Sequence, residues 1–326
     1  MQAYLLILEG AVAQGLLWGI MALGVYLTFK ILDFADLSVE GTFALGGAVS
    51  AILIKSGMNP FLTLIFAILA GLLAGLVTGF FNTVLKIPPI LAGILTMIGL
   101  YSINIRVMKN SANISLFNDK RINTIIADLI LPKNISVAVK PYMNNLSVII
   151  VGVAAVILVI WLTYLFFGTE IGSSIRATGT NANMARALGV NTDGMKVLAL
   201  MLSNALVGLS GAMVAQTQGA ADVQSGQGSI VIGLAGIIIG EVIFCRKDHP
   251  FWYKLMAVVI GSVIYRIIYA LTLKIGLKAS DTKLITALIV AVALGVPVIK
   301  TRLAVKKARK ENDKKYADAM GGNVNA

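Results

Sequence analysis

Stretches of about 20 mostly apolar residues recur along this chain, and at 1.5 Å of rise per residue each is long enough for a helix to cross a hydrocarbon layer of about 30 Å. Helices satisfy their own backbone N–H and C=O groups where no water reaches, so such a chain is committed to a helical bundle. Composition agrees: 58% of residues are hydrophobic, 13% are charged and mean hydropathy is +0.87. The expected fold class is an all-α polytopic membrane protein. One cysteine, Cys245, rules out an internal disulfide, and with a lone histidine, His249, the usual thiolate and imidazole metal sites cannot be built within one chain.

The apolar runs fall at 5–29, 37–54, 61–82, 88–107, 146–168, 195–215, 229–245, 251–273 and 284–300, which makes nine spans. An odd number places the two ends on opposite sides. The net charge of +12 is concentrated after the last run, in Lys306, Lys307, Arg309, Lys310, Lys314 and Lys315. We read this block as a cytoplasmic tail at the membrane surface rather than as a nucleic-acid site, which predicts the C-terminus inside and the N-terminus outside. The first run lacks a basic region before it and a small-residue cleavage site after it, so it reads as part of the mature protein. Residues 1–302 then form the transmembrane domain and 303–326 the tail. The longest hydrophilic segment, about 108–144, lies outside, together with the shorter loops 218–227 and 276–283.

A polar segment interrupts the apolar pattern on the same side as the tail: RATGTNANMARALGV, from Arg176 to Val190. Its residues suit a short helix lying along the membrane, with Asn181 as N-cap and Gly189 as C-terminal stop. Ala182, Met184, Ala185, Ala187 and Leu188 give it an apolar face, and Asn181, Asn183 and Arg186 a polar one. An ordinary helical connector would have the same composition.

Polar residues inside the spans are the other candidates. Arg266 lies about 22 Å from the inner end of the eighth span, in its outer half. A charge at that depth needs water, a carboxylate or protein carbonyls around it. Two readings stand: an anchor for a substrate carboxylate, or a structural or snorkelling arginine. Glu241 lies near the inner end of the seventh span, too deep to pair with it. Asp33, Asp36 and Glu40 crowd the start of the second span, either capping that helix or gating the inner exit. Asn82 and Asn204 either line the path or bond between helices, and the glycine series Gly71, Gly75, Gly79 and Gly236, Gly240 permits close helix packing.

From Arg176 to Met213 the chain resembles the permease subunits of ABC importers of the branched-chain amino acid and ribose type. Their cytoplasmic coupling loop carries a pattern that stands here as Arg176, Ala177, Gly179, Asn181, Ala185, Arg186, Gly189 and Val190, followed by LSNALVGLSGAM. ILDFADLSVEGTFALGGAVSA, from Ile31, and KIPPILAGILTMIGLYSINIRVM, from Lys86, are similar to further stretches of the family, closest to the branch with tryptophan and tyrosine importer permeases. Asp33, Ala182 and Asn183 depart from the usual pattern. The resemblance implies a multi-pass protein of the cell membrane that works as a homodimer. Two ATPase subunits, which bind ATP and Mg, would dock on its cytoplasmic face, and an external binding (lipo)protein would deliver the solute. It also implies a coupling role for about 170–194, with Asn181, Asn183, Arg186 and Gly189 at the ATPase contact. Arg266, Asn204 and Asn82 are assigned to the substrate path, and Asp36 and Glu40 to an inner gate.

No GxxxxGK[ST] phosphate loop occurs, and no metalloprotease or Ser/His pattern, so the chain is not expected to be an enzyme or to carry a cofactor of its own. The function expected is translocation of a small solute, an amino acid and aromatic in preference. The rival reading is a secondary transporter, which would usually show internal symmetry between its halves.

Overall fold

The computed structural model describes residues 2–130, 140–244 and 249–274, with isolated positions between 284 and 309. Eight of its helices are long and apolar enough to cross a membrane. They match the first eight sequence runs to within a few residues, apart from the sixth helix, α6, which begins earlier. The ninth run and the basic tail lie largely outside the described residues, as do Cys245 and the loop 276–283.

Helix α1, Gln2–Tyr26, runs on through a π-helical turn at Leu27–Ile31. The turn closes through Leu32 N to Leu27 O at 3.1 Å and Phe34 N to Thr28 O at 2.9 Å, and Asp33 then takes φ +55°. The chain folds back on itself before α2, Ser38–Lys55, begins. Helices α3, Pro60–Thr83, and α4, Pro89–Val107, each start with proline in the first turn, where its missing N–H costs nothing. The Asn59 side chain caps α3 by accepting from Phe61 N at 3.0 Å. Beyond these lie α5, Ile122–Ile130, and α6, Lys140–Phe167, then α7, Glu170–Thr180, and α8, Ala182–Ala187. Helices α9, Thr192–Gln218, α10, Ser229–Phe244, and α11, Phe251–Lys274, complete the bundle.

The core sits where α1, α2 and α9 meet. Leu17, Ile20, Met21 and Leu23 of α1, Val39 and Phe43 of α2, and Val207 and Met213 of α9 are buried together, and Trp18 packs on Phe43 with ring centroids 4.7 Å apart. Helix α3 lies against α9 through Gly71, Gly75 and Gly79. A β-carbon at Gly71 or Gly75 would overlap the carbonyl oxygens of Asn204 and Leu200. This is the close backbone approach that small residues permit in a bilayer, where apolar burial between helices gives little driving force. Gly236, Gly240 and Gly261 join α10 to α11 in the same way. The opposite face of α3 exposes Leu62, Ile65, Leu69 and Leu73, as suits a surface against lipid chains.

Within 108–144, the described residues form regular structure. Strand β1, Asn113–Ser115, pairs antiparallel with β2, Ala220–Asp222, just after α9, and α5 and the start of α6 also fall within this segment. This strand end of the bundle is tied by Lys55 to Asp119 at 2.9 Å and by Gln216, whose amide reaches Ser50, Thr63 and the Pro60 carbonyl at 3.0 to 3.1 Å.

The loop 218–227, expected to face outward, instead returns into the bundle. After Gly219 (φ +74°) come β2 and a 3-10 turn, Val223–Gly226, with Ala221, Val223 and Gly226 buried. Gly226 comes against the Glu40 backbone in the first turn of α2, and Gly233 packs on Met21 and Val25. Since neighbouring Gly24 packs on Ser203, halfway along α9, the chain has travelled from the strand end to mid-bundle before α10 starts. Extended residues rise about 3.3 Å each against 1.5 Å in a helix, so ten residues outside α9 suffice to retrace about 15 within it.

Candidate functional site

Two regions concentrate polar chemistry. The first is the segment between α6 and α9. The helix expected between the Asn181 cap and the Gly189 stop is α8, within NANMARALGV, and RATGT before it ends a further helix, α7. Thr169 caps α7 by accepting from Gly172 N, and Arg176 anchors it by donating to the Phe167 carbonyl at 2.8 Å. Gly179 lies directly on the Ile31 and Leu32 backbone, tying this region to the turn after α1. Asn181 breaks the helix with extended backbone, and its side chain caps α8 by accepting from Met184 N at 3.0 Å. Gly189 ends the element at φ +86°, and Asn191 caps α9 through Gly194 N.

Arg186 turns back onto its own chain, donating to Thr192 Oγ1 at 2.7 Å and standing 3.5 Å from Asp193, which also pairs with Lys86 at 3.0 Å. It therefore braces the α8–α9 turn. Asn183 faces outward. Sequence reasoning put the ATPase contact on the polar residues; of the apolar face it also named, Ala185 is buried while Met184 is 52% and Leu188 74% exposed, one turn apart, as an apolar pair on the outer side.

The second region is mid-bundle. Asn204, fully buried about 18 Å along α9, donates to Asp36 Oδ2 at 2.8 Å and to the Leu200 carbonyl, and accepts from Thr42 at 2.7 Å. Asp36 also accepts from the backbone N–H of Ser38 at 2.9 Å and from its hydroxyl. Of the two readings for Asn204, this is the bond between helices. Asn82 is likewise structural: its amide donates to the Ile87 carbonyl at 2.9 Å, holding the α3–α4 turn where Lys86 takes φ +55°. Asp36 and Glu40 are not at the α8 end, where an inner gate was expected. The turn after α1 carries the start of α2 up beside Asn204, and Glu40 accepts from Gly228 N at 3.0 Å on the returning segment.

Arg266 stacks over the Trp18 ring at 4.1 Å and lies 5.7 Å from the Tyr269 ring. Its Nε has no hydrogen-bond partner among the described residues. Glu241, as expected, does not pair with it and instead meets Lys30 at 2.9 Å. Arg266 lines a cavity of ≈ 420 Å³ together with Gln218, Gln227 and Gly228, at the start of α10. A guanidinium held by aromatic faces, beside a helix N-terminus, is an environment suited to a carboxylate.

With this geometry in view, similarity to known proteins becomes informative. Residues 7–300 match the family of permease components of branched-chain amino acid transport systems. The tyrosine transport system permease protein of Clostridioides difficile (strain R20291) is 37% identical over 305 residues, covering 93% of this chain and 96% of that one. An uncharacterized protein of Rickettsia prowazekii (strain Madrid E) is 33% identical, covering 88% and 96%. The autoinducer 2 import system permease protein LsrC of Yersinia pseudotuberculosis serotype O:1b (strain IP 31758) is 28% identical, covering 86% of this chain and 74% of that one.

Proposed function

The chain belongs to the family of permease components of branched-chain amino acid transport systems, and on that premise we propose that it imports an aromatic amino acid through a bundle driven from its α8 end. It is a multi-pass protein of the cell membrane and the solute-translocating subunit of an ABC importer, a type of system that includes ATPase and substrate-binding subunits. The finer assignments are ours. ATP and Mg are held by two ATPase subunits at the α8 end, the binding protein docks at the strand end, and a second copy of this chain completes the path. The nine-span topology, N-terminus outside and C-terminus inside, with residues 1–302 in the membrane domain and 303–326 as a cytoplasmic tail, fits that arrangement.

The observation that carries the reading is the construction of the α7–α8 element. It is capped at each helix start, anchored on the turn after α1 through Gly179 and braced on α9 through Arg186, yet it presents Met184 and Leu188 unpaired. A rigid element seated on an ATPase would pass motion to α1 and α9 at once, coupling two sites through a two-state bundle. Asn181, Asn183 and Gly189 shape and border that contact. In the cavity beside α10, Arg266 would face the solute carboxylate. The choice of an aromatic amino acid is supported by the relative described as a tyrosine transport permease.

Purification of the chain from its native membrane in mild detergent, with mass spectrometry and an ATPase assay, tests the proposal. An ATPase and a binding protein should be recovered together, and Arg186→Glu should lower transport-linked ATP hydrolysis in the assembled complex. Recovery of the chain without an ATPase would overturn the assignment of ATPase docking to the α8 end.

A further inference from the structure

The returning segment 219–228 separates the Arg266 cavity from a second one of ≈ 540 Å³, which lies between the start of α2, helix α4 and the 3-10 turn. Glu40, Met97, Tyr101 and Ser102 stand in its walls, and Gln227 borders both cavities. The neighbours of Gln227 fix its depth. A β-carbon at Gly226 would overlap the Glu40 carbonyl, and Gly228 N donates to Glu40 Oε1 at 3.0 Å, so Gln227 stands level with the first turn of α2, which Thr42 joins to Asn204 at mid-bundle. The Gln227 side chain is exposed there and makes no hydrogen bond among the described residues; its backbone N–H donates to the Gln224 carbonyl at 3.0 Å.

A carboxamide carries two N–H donors and an acceptor oxygen, and lipid chains satisfy none of them. At the same level the surface that does face lipid is apolar: the exposed Leu69 and Leu73 of α3 flank Gly71, which packs on the Asn204 carbonyl. An exposed amide without a partner at this depth faces water, and water at mid-bundle beside an arginine cavity is what passage of a polar solute requires. We propose that Gln227 is a solute-contacting residue of the translocation path, standing at the edge past which the solute moves between the Arg266 cavity and the Glu40 cavity. Having both donors and an acceptor, its amide can take over hydrogen bonds from a solute leaving the Arg266 guanidinium without adding a charge to the path. The proposal rests on the reading of the Arg266 cavity as a solute site.

The test uses the full chain in lipid nanodiscs, in a Cys245→Ser background carrying Gln227→Cys or, as a lipid-facing control at the same level, Leu73→Cys. A thiol in hydrocarbon forms little thiolate and meets no water-soluble reagent, so a permanently charged methanethiosulfonate should modify Gln227→Cys about tenfold faster than Leu73→Cys or more. Equal rates would overturn the proposal. In proteoliposomes holding the purified complex, trapping the ATPase with ATP and vanadate should change the Gln227→Cys rate several-fold, because a residue on the working path changes its access with the state of the bundle; a rate indifferent to trapping would also overturn it. If Gln227→Cys does not fold, Gln227→Glu and Gln227→Leu decide by SDS unfolding. On a water-filled path the glutamate variant is at least as stable as the leucine variant, whereas against lipid leucine would be the more stable, which would overturn the proposal. The nanodisc comparison contains neither solute nor ATPase, so its failure leaves the Arg266 and α8 readings standing, and loss of the ATPase on purification leaves the labelling comparison standing.

Discussion

Replacing Asn204 by leucine, which has nearly the same volume, should destabilise the bundle by about 3 kcal/mol. The Asp36 carboxyl loses its amide donor, leaving a buried oxygen unsatisfied at about 2 kcal/mol, and Thr42 gives up its 2.7 Å bond to Asn204 for the Ser38 carbonyl at 3.1 Å, about 1 kcal/mol within a membrane. The shared Ser38 hydroxyl keeps Asp36 and adds little. Unfolding of the full chain by SDS in mixed micelles, followed by helical circular dichroism, measures the loss. A reciprocal change sharpens it. Asn204→Asp alone sets two buried carboxyl groups against each other and should cost more than the leucine. Adding Asp36→Asn restores an amide–carboxylate pair with the roles exchanged, and should recover more than half of that loss. A cost below about 1 kcal/mol for Asn204→Leu, or no recovery in the exchanged pair, would refute the view that this contact fixes α2 to α9.

Gly75→Ala should cost about 2 kcal/mol or more by driving α3 off the Leu200 carbonyl, whereas Gly99→Ala, whose β-carbon meets nothing within 4 Å, should be neutral or slightly stabilising in the same unfolding assay. Met184→Glu with Leu188→Glu should leave the permease folded and monodisperse by gel filtration while reducing recovery of ATPase on purification; equal recovery would remove the apolar docking face. Arg266→Gln should reduce solute uptake by the complex, and Arg266→Lys should fail to restore it, because a lysine cannot stack its planar face on Trp18; normal uptake in either variant would reduce Arg266 to a structural role.

What could be read in the sequence was what is local. Apolar run length located the eight described spans, because membrane thickness sets helix length regardless of what packs alongside. Asn181 and Gly189 were legible as cap and stop for the same reason: the Met184 N–H lies three residues from Asn181, and the φ of +86° at Gly189 requires only that residue. The contacts that place the mid-bundle chemistry are not local. Glu40 meets Gly228 across 188 residues and Asp36 meets Asn204 across 168, so composition near residue 40 suggested only a cap or gate at the membrane edge. The strands β1 and β2, three residues each and far apart in sequence, carry no alternation long enough to signal pairing. The descent of 219–228 was hidden because a short, polar, glycine-bearing segment reads as a surface turn whether it stays outside or dips inward. Arg186 reads in the sequence as a polar contact on the outer side of α8, but its direction depends on Thr192 and Asp193 being brought round by the Gly189 turn.

The glycine contacts also have a mechanical side. Where α3 lies on α9 and α10 on α11, backbone touches backbone, with no layer of side chains between them to slide or repack. Each pair therefore behaves as a welded plate, and α1 meets both as closely, with Gly24 on the Ser203 carbonyl and Gly15 on the Val263 backbone, so a working stroke has to shift at least one of these contacts. The segment 219–228 spans the gap between the plates, and a glycine at positive φ stands at each of its ends, Gly219 and Gly228. The same ten residues separate the Arg266 cavity from the Glu40 cavity. A shift of one plate against the other would thus turn the partition between the two chambers like the leaf of a door.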